Sequence, residues 1–219
     1  SITRYVEDHH IKDVFICGDV FHTRDSINTV ALNLLLDEIE ELSYLCSIKI
    51  LAGNHDQKTY NNTSIACLKH IPNVTVIDKD SKIYMVQGLE CHFVPYRNTA
   101  QEFLKCLLPT RTDAIAKKVL FTHISVTGGV IGTFEHRTKD AIDSESFDTG
   151  FDKVFSGHYH KHQQVNRKFV YIGSPLQFDR SDRGREKGFI ILDNNDDLSW
   201  KFVPITNTPK FLKIPFEEL

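Results

Sequence analysis

The 219-residue chain has no apolar run near the ~18 residues that a membrane-spanning helix requires. Its opening residues, SITRYVEDHHIKD, lack the apolar segment and small-residue cleavage site of a secretory signal. No CxxC pair occurs, and Cys17, Cys46, Cys67, Cys91 and Cys106 are odd in number and scattered. That pattern argues against a disulfide framework or a zinc knuckle. The apolar setting of most of these cysteines predicts buried thiols in a reducing, cytoplasmic compartment. There is no internal repeat, low-complexity tract or linker. Nor is there a basic excess: 26 Lys and Arg against 29 Asp and Glu leave a net charge of −3. Charge therefore does not mark a nucleic-acid binder, although a local basic patch or bound metal ions would supply what the total lacks. What the chain does hold is a globular composition, 41% apolar and 25% charged, and eleven histidines. Its length suits one large domain with a substantial core.

The apolar pattern alternates strands with helices. Residues 1–11 read as the last turns of a helix with Ile2, Tyr5 and Val6 on one face and no N-terminal capping signal, so the chain is expected to begin inside an element. Residues 13–17 (DVFIC) read as a strand. Residues 26–45 read as a helix burying Val30, Leu34, Ile39 and Leu42, and residues 47–52 (SIKILA) as a buried strand. A second helix is expected at 61–71, short strands at 74–77, 82–86 and 90–94, and a third helix at 99–108. Further buried strands are expected at 118–121 and 153–156, with a long loop at 125–143 between them. From residue 163 onward the pattern is β, with strands at 169–172, 189–192 and 198–203. Strand and helix in alternation predict an α/β domain over residues 1–205: two mixed sheets meeting at a cleft, with helices outside. Residues 206–219 read as the start of a C-terminal extension.

Four of the strands end in metal-ligand residue types: Asp19 and His22, Asn54 and His55, His123, and His158 with His160. Alone, Gly53-Asn54-His55-Asp56 is as well explained by a turn. Four such endings point instead to a cleft at the carboxyl ends of the strands, where α/β sheets place their ligands. Imidazole and carboxylate suit zinc, manganese and iron, and a carboxylate can bridge two ions. Asn54 adds a ligand without adding charge, which favours an anionic substrate. Two ions about 3.5–4 Å apart stabilise the attacking and leaving oxygens of an in-line displacement at phosphorus, so phosphoester hydrolysis is the natural chemistry. A histidine beside them that is not a ligand can protonate the leaving oxygen.

The ordered set GD (18–19), GNHD (53–56), His123 and GHYH (157–160) resembles the calcineurin-like binuclear metallophosphoesterases. GDVFH (18–22) and YIGSPLQFDRSDRGREKGFIILD (171–193) are similar to the SbcD-type nuclease subunit of DNA double-strand-break repair complexes and its phage relatives. The resemblance implies a metallophosphoesterase α/β sandwich. It implies Asp19 as the bridging ligand; Asn54, His123 and His158 as the rest of one metal site; and His160 in the other. His55 would be the phosphate-contacting acid, and His22 would position the DNA phosphate. Two divalent ions are implied in an intact domain, manganese foremost, with magnesium, zinc or iron compatible with the same donors. The implied partners are DNA and an SbcC-type ABC ATPase, and the family admits a homodimer. No Asp-x-His motif after a strand precedes Asp13. The chain therefore reads as truncated at its amino terminus, with at most one tightly held ion, on Asp19, Asn54, His123 and His158, and this stretch alone is expected to be inactive or impaired in cleavage.

Plainer readings stand beside these. His9, His10, His70, His92, His136 and His162 lack a strand-end setting and read as surface or satisfied core residues, and Asp56 reads as a brace for its turn. Arg180, Arg183 and Arg185 form a basic cluster with Lys187, interleaved with Asp179, Asp182 and Glu186. This reads as a solvated loop, with contact to a DNA backbone as the alternative. Two rival functions remain: a phosphatase or phosphodiesterase acting on small phosphoesters, and a catalytically inactive scaffold for an ATPase partner.

Overall fold

The computed structural model describes residues 1–107, 116–132, 141–147, 150–194 and 197–214. In chain order the regular elements are α1 (Ile2–Asp8), β1 (Asp13–Cys17), α2 (Thr29–Leu45), β2 (Ser47–Leu51), β3 (Gln57–Thr59), β4 (Asn62–Thr63), β5 (Val74–Ile77), β6 (Lys82–Val86), β7 (Leu89–Val94), α3 (Ala100–Lys105), β8 (Lys118–Thr122), β9 (Lys153–Ser156), β10 (Gln163–Gln164), β11 (Phe169–Tyr171), β12 (Gly188–Leu192) and β13 (Trp200–Pro204). A three-stranded sheet, β1-β2-β5, is entirely parallel. A six-stranded sheet runs β10-β11-β9-β8-β7-β6, parallel from β11 through β7 and antiparallel at both edges. The pair β12-β13 is antiparallel.

Period-two side-chain alternation makes these sheets a sandwich. On β1, Phe15 and Cys17 face the core shared with the six-stranded sheet, and Val14 and Ile16 face the core under α1 and α2. On β7, Leu89, Cys91 and Phe93 point into the shared core, and on β8 Val119 and Phe121 do the same. Leu120 and Val94 turn to a third cluster that includes Phe103 of α3 and Phe147. The layers are therefore helix, sheet, sheet, helix. Stacked Phe93, Phe121 and Phe155 rings, with centroids 5.2 and 5.8 Å apart, fill the middle. Among the described residues no helix is long and apolar enough to cross a membrane.

Several expectations change. Ser1 is itself a cap, its hydroxyl accepting from the Arg4 amide at 3.2 Å, so α1 does have a capping signal. In α2, Ile39 and Leu42 are buried, but Val30 and Leu34 are 66% and 60% exposed. The stripe that meets the sheet runs through Leu32, Leu35, Leu36, Ile39 and Leu42, and at 100° per residue it leaves Val30 and Leu34 on the far side. The expected helix at 61–71 is a 3₁₀ segment, Ser64–His70, because the β3-β4 hairpin takes up the residues before it. α3 ends at Lys105, and Leu108 lies outside the described residues, as do His136 and part of the loop at 125–143. The loop's described ends meet in a bridge between Val126 and Ile142. Residues 205–214 carry no regular element.

Cys17, Cys46 and Cys91 are buried as expected, whereas Cys67 is exposed. Burial pushes the Cys17 and Cys91 thiols up to about 12. Iodoacetamide should thus label Cys67 in the native protein and reach Cys17 and Cys91 only after unfolding, as read by peptide mass spectrometry. Equal native rates at Cys17 and Cys67 would contradict this packing.

Candidate metal centre

The carboxyl ends of β1, β2, β8 and β9 come together across the two sheets. Cys17 ends β1, and its carbonyl accepts a hydrogen bond from His123 Nδ1 at 2.7 Å, just beyond β8. A carbonyl only accepts, so Nδ1 carries the proton and Nε2 keeps its lone pair. That Nε2 lies 3.0 Å from Asn54 Oδ1, 3.2 Å from Asp19 Oδ2 and 3.2 Å from His158 Nδ1. Asn54 Oδ1 is also 3.0 Å from His158 Nδ1. Separations of ~3 Å are the edge lengths expected of octahedral ligands about 2.1 Å from one centre. The donor set is one carboxylate, one amide oxygen and two imidazoles, which suits a borderline divalent ion. Asp19, His123 and His158 form one of the two candidate metal-holding groups among the described residues.

Backbone strain and close approach shape this site. Asp19 and His158 both adopt positive φ, 55° and 81°, a costly conformation for residues with a Cβ. A Cβ on Gly157 would lie 2.0 Å from the Cys17 carbonyl oxygen and 2.9 Å from His123 Nδ1, so only glycine permits the bond between them. Asp56, fully buried, holds the two ligand loops together. Its Oδ2 accepts from the amides of Asp19 at 2.7 Å and Gly53 at 2.8 Å, and its Oδ1 from the Phe21 amide at 3.1 Å. The brace expected from the sequence is therefore present. Burial pushes the Asp56 carboxyl above the usual carboxylate range, against the Gly53 and Phe21 amides that favour its charge.

Burial also acts upward on Asp19, but His123 and His55 outweigh it and hold that carboxyl low. Burial, reinforced by His123, pushes the His158 imidazole down to about 3, so it offers a lone pair throughout the neutral range. His55 donates its backbone amide to Asp19 Oδ1 at 2.9 Å, and its Nδ1 donates to the His22 carbonyl at 2.7 Å. The His22 and His55 rings stack at 5.3 Å.

His160 is lodged elsewhere. Tyr159, buried and stacked on Tyr171 at 4.4 Å, separates it from His158. His160 Nδ1 lies 3.3 Å from Asp182 Oδ2 and 4.0 Å from Asp179 Oδ2, the second candidate group. His158 and His160 line the same cleft of about 120 Å³. Arg180 and Arg183 are exposed, while Arg185 donates to the Gly132 carbonyl at 2.7 Å. The solvated-loop reading of this segment needs correction, since Asp182 and Lys187 are 1% and 3% exposed and paired at 2.6 Å. Sequence reasoning also missed Tyr96, whose ring centroid lies 6.3 Å from His123 and 6.4 Å from His158. It follows β7, a strand end with no ligand-type residue to signal it.

The family model for calcineurin-like phosphoesterases matches residues 1–162. The chain belongs to that family. Phosphoesterases of this family use divalent metal ions, and among the described residues there are two groups that could hold one. The chain is 28% identical over 198 residues to "Putative phosphoesterase 244L" of Invertebrate iridescent virus 6, covering 84% of this chain and 66% of the relative. It is 27% identical over 233 residues to the SbcD component of the nuclease SbcCD of Staphylococcus epidermidis, covering 92% of this chain and 61% of that protein. The chain thus spans less than two thirds of the length of either curated relative. A solved archaeal phosphodiesterase superposes with a TM-score of 0.49 at 14% identity, covering 93% of this chain and 88% of that one.

Two outcomes follow. Asp56→Ala leaves three buried amides unpaired and should cost on the order of 3 kcal/mol in urea unfolding, while Asp56→Asn, which keeps one acceptor oxygen, should cost less. Equal stability of the alanine variant and the parent would refute the brace. Secondly, an unfolded histidine takes its proton near 6.5 and folded His158 only near 3. Between these values the unfolded chain binds the extra proton, so the stability supplied by neutral His158 is complete above 6.5 and is lost as pH falls toward 3. The unfolding midpoint of the metal-free protein should drop across that window, and His158→Gln should flatten the drop.

Proposed function

We propose that the protein hydrolyses phosphodiester bonds of DNA in the manner of an SbcD-type nuclease, with a divalent ion, manganese foremost, held by Asp19, Asn54, His123 and His158. The observation that carries this reading is the convergence of those four acceptor atoms within 3.0–3.2 Å contacts, which only a cation or a proton relieves. When bound, the ion supplies positive charge to the phosphoryl oxygens and lowers the pKa of an attacking water. Asn54 keeps the ligand set less anionic, so a phosphodiester meets less repulsion. His55 donates Nδ1–H to the His22 carbonyl, which leaves Nε2 as the position that, with the ring protonated at both nitrogens, gives its proton to the leaving 3′ or 5′ oxygen and is left as a lone pair. His22, stacked on His55, positions the phosphate beside it. Arg185, which lines the His158 cleft, and the exposed Arg180 and Arg183 of the same segment supply backbone contacts that the net charge of −3 does not advertise. In an intact domain His160 would join the centre as a donor to a second ion. An SbcC-type ATPase is the partner proposed with this role, by the 27% identity to the staphylococcal SbcD relative.

The rival is hydrolysis of small phosphoesters, and leaving-group chemistry separates the two. With Mn²⁺, the full-length protein should cut single-stranded or hairpin DNA. His55→Asn should lower that rate by about 10²- to 10⁴-fold. The same variant should lose far less on bis(p-nitrophenyl) phosphate, whose leaving group needs no proton. Turnover of the aryl diester with DNA left intact would sink the nuclease reading, and turnover of neither would favour the scaffold.

A further inference from the structure

Lys187 sits in the interior with all three ammonium hydrogens engaged: the Asp182 carboxylate at 2.6 Å, the Ser174 hydroxyl at 2.8 Å and the His160 carbonyl at 2.8 Å. Asp182 uses its other oxygen, Oδ2, to accept from the Phe178 amide at 3.0 Å, and His160 Nδ1 lies 3.3 Å from the same oxygen. Ser174 closes the network from behind, its amide 3.2 Å from the His160 carbonyl. A buried lysine and aspartate thus grip one histidine twice, at its backbone through Lys187 and at its ring through Asp182. A buried ion pair of this kind contributes little net stability compared with apolar residues of the same volume, which leaves orientation as its clearest use.

We propose that Asp182, itself fixed by Lys187, is a positioning residue that holds His160 in the tautomer protonated on Nδ1, so that Nε2 is kept as a lone-pair donor for a divalent ion in the cleft shared with His158. A carboxylate behind an imidazole fixes ring and tautomer and raises the basicity of the opposite nitrogen. The segment supplying this support, Ser174 through Lys187, is the one that the basic side chains of Arg180, Arg183 and Arg185 mask in the sequence. The inference rests on the proposed role of His160 at the metal centre.

The test uses protein labelled with ¹⁵N-histidine at about pH 8, above the ordinary histidine range. In metal-free protein the His160 ring should show a protonated Nδ1 and a bare Nε2, and Zn²⁺ alone should shift the Nε2 resonance. Asp182→Ala/Lys187→Met removes the grip without stranding a buried charge. It should move His160 toward the Nε2–H form and weaken its Zn²⁺ titration about 10- to 100-fold. Asp182→Asn/Lys187→Met returns an acceptor oxygen and should restore the tautomer, a rescue that a merely structural role would not give. An Nε2–H tautomer in the parent protein overturns the proposal even where the alanine variant fails to fold. So does a folded alanine variant with an unchanged tautomer and titration. Zn²⁺ that leaves His123 and His158 unmoved overturns the metal centre itself. That failure is told apart because the His160 tautomer is read without any ion.

Discussion

The hydrogen bond from His123 Nδ1 to the Cys17 carbonyl is the contact on which the rest of the site depends. Its partners are 106 residues apart and belong to different sheets, so it exists only because the sandwich packs in one register. Phe15 tilts against Phe121 at 4.6 Å in the core beneath it, which places the ends of β1 and β8 side by side. The bond decides which histidine nitrogen faces the cleft, and with it whether Asp19, Asn54 and His158 meet a lone pair or a proton. A shift of one residue between the sheets would lose every one of these contacts at once.

Bringing two ligand loops this close has a cost, which the sequence meets with Asp56 and with glycine. Asp19 is held at positive φ and leans its carboxylate on the His55 amide; without an external anchor its loop would relax. Asp56 is that anchor: its two oxygens take amides from both loops, so the strain at Asp19 and the turn at Gly53 are balanced by one buried carboxylate. Gly53 and Gly157 then allow an approach that a methyl group would block.

Strands β1, β2, β5, β6, β8 and β9 were legible to within a residue because buried strands announce themselves as short runs of Val, Ile, Leu and Phe bounded by polar residues. The convergence of Asp19, Asn54, His123 and His158 was legible for the same reason, since each follows such a run. Helical faces were less so: Val30 and Leu34 share a helical period with each other, but the sheet takes the neighbouring stripe. The Asp182–Lys187 pair could not be read at all. Its burial is set by tertiary packing behind His160, and its neighbours in sequence are the exposed arginines of a surface turn. Tyr96 was missed because an aromatic after a strand is ordinarily core.

The segment Gly157-His158-Tyr159-His160 shows how one tetrapeptide can serve two lodgings. Spacing alone would let both histidines point to one side, as in an extended strand. Here Tyr159 is driven inward between Tyr171 and the surrounding core, and its burial stabilises the arrangement by roughly the 1.5–3 kcal/mol of a large apolar side chain. With Tyr159 fixed, His158 is forced to positive φ and toward Asn54, while His160 emerges beside Asp182. The two imidazoles also acquire opposite backing: His158 is buried beside His123 and loses its proton readily, whereas His160 faces carboxylates. A single buried tyrosine therefore separates two histidines of one turn into two electrostatic settings.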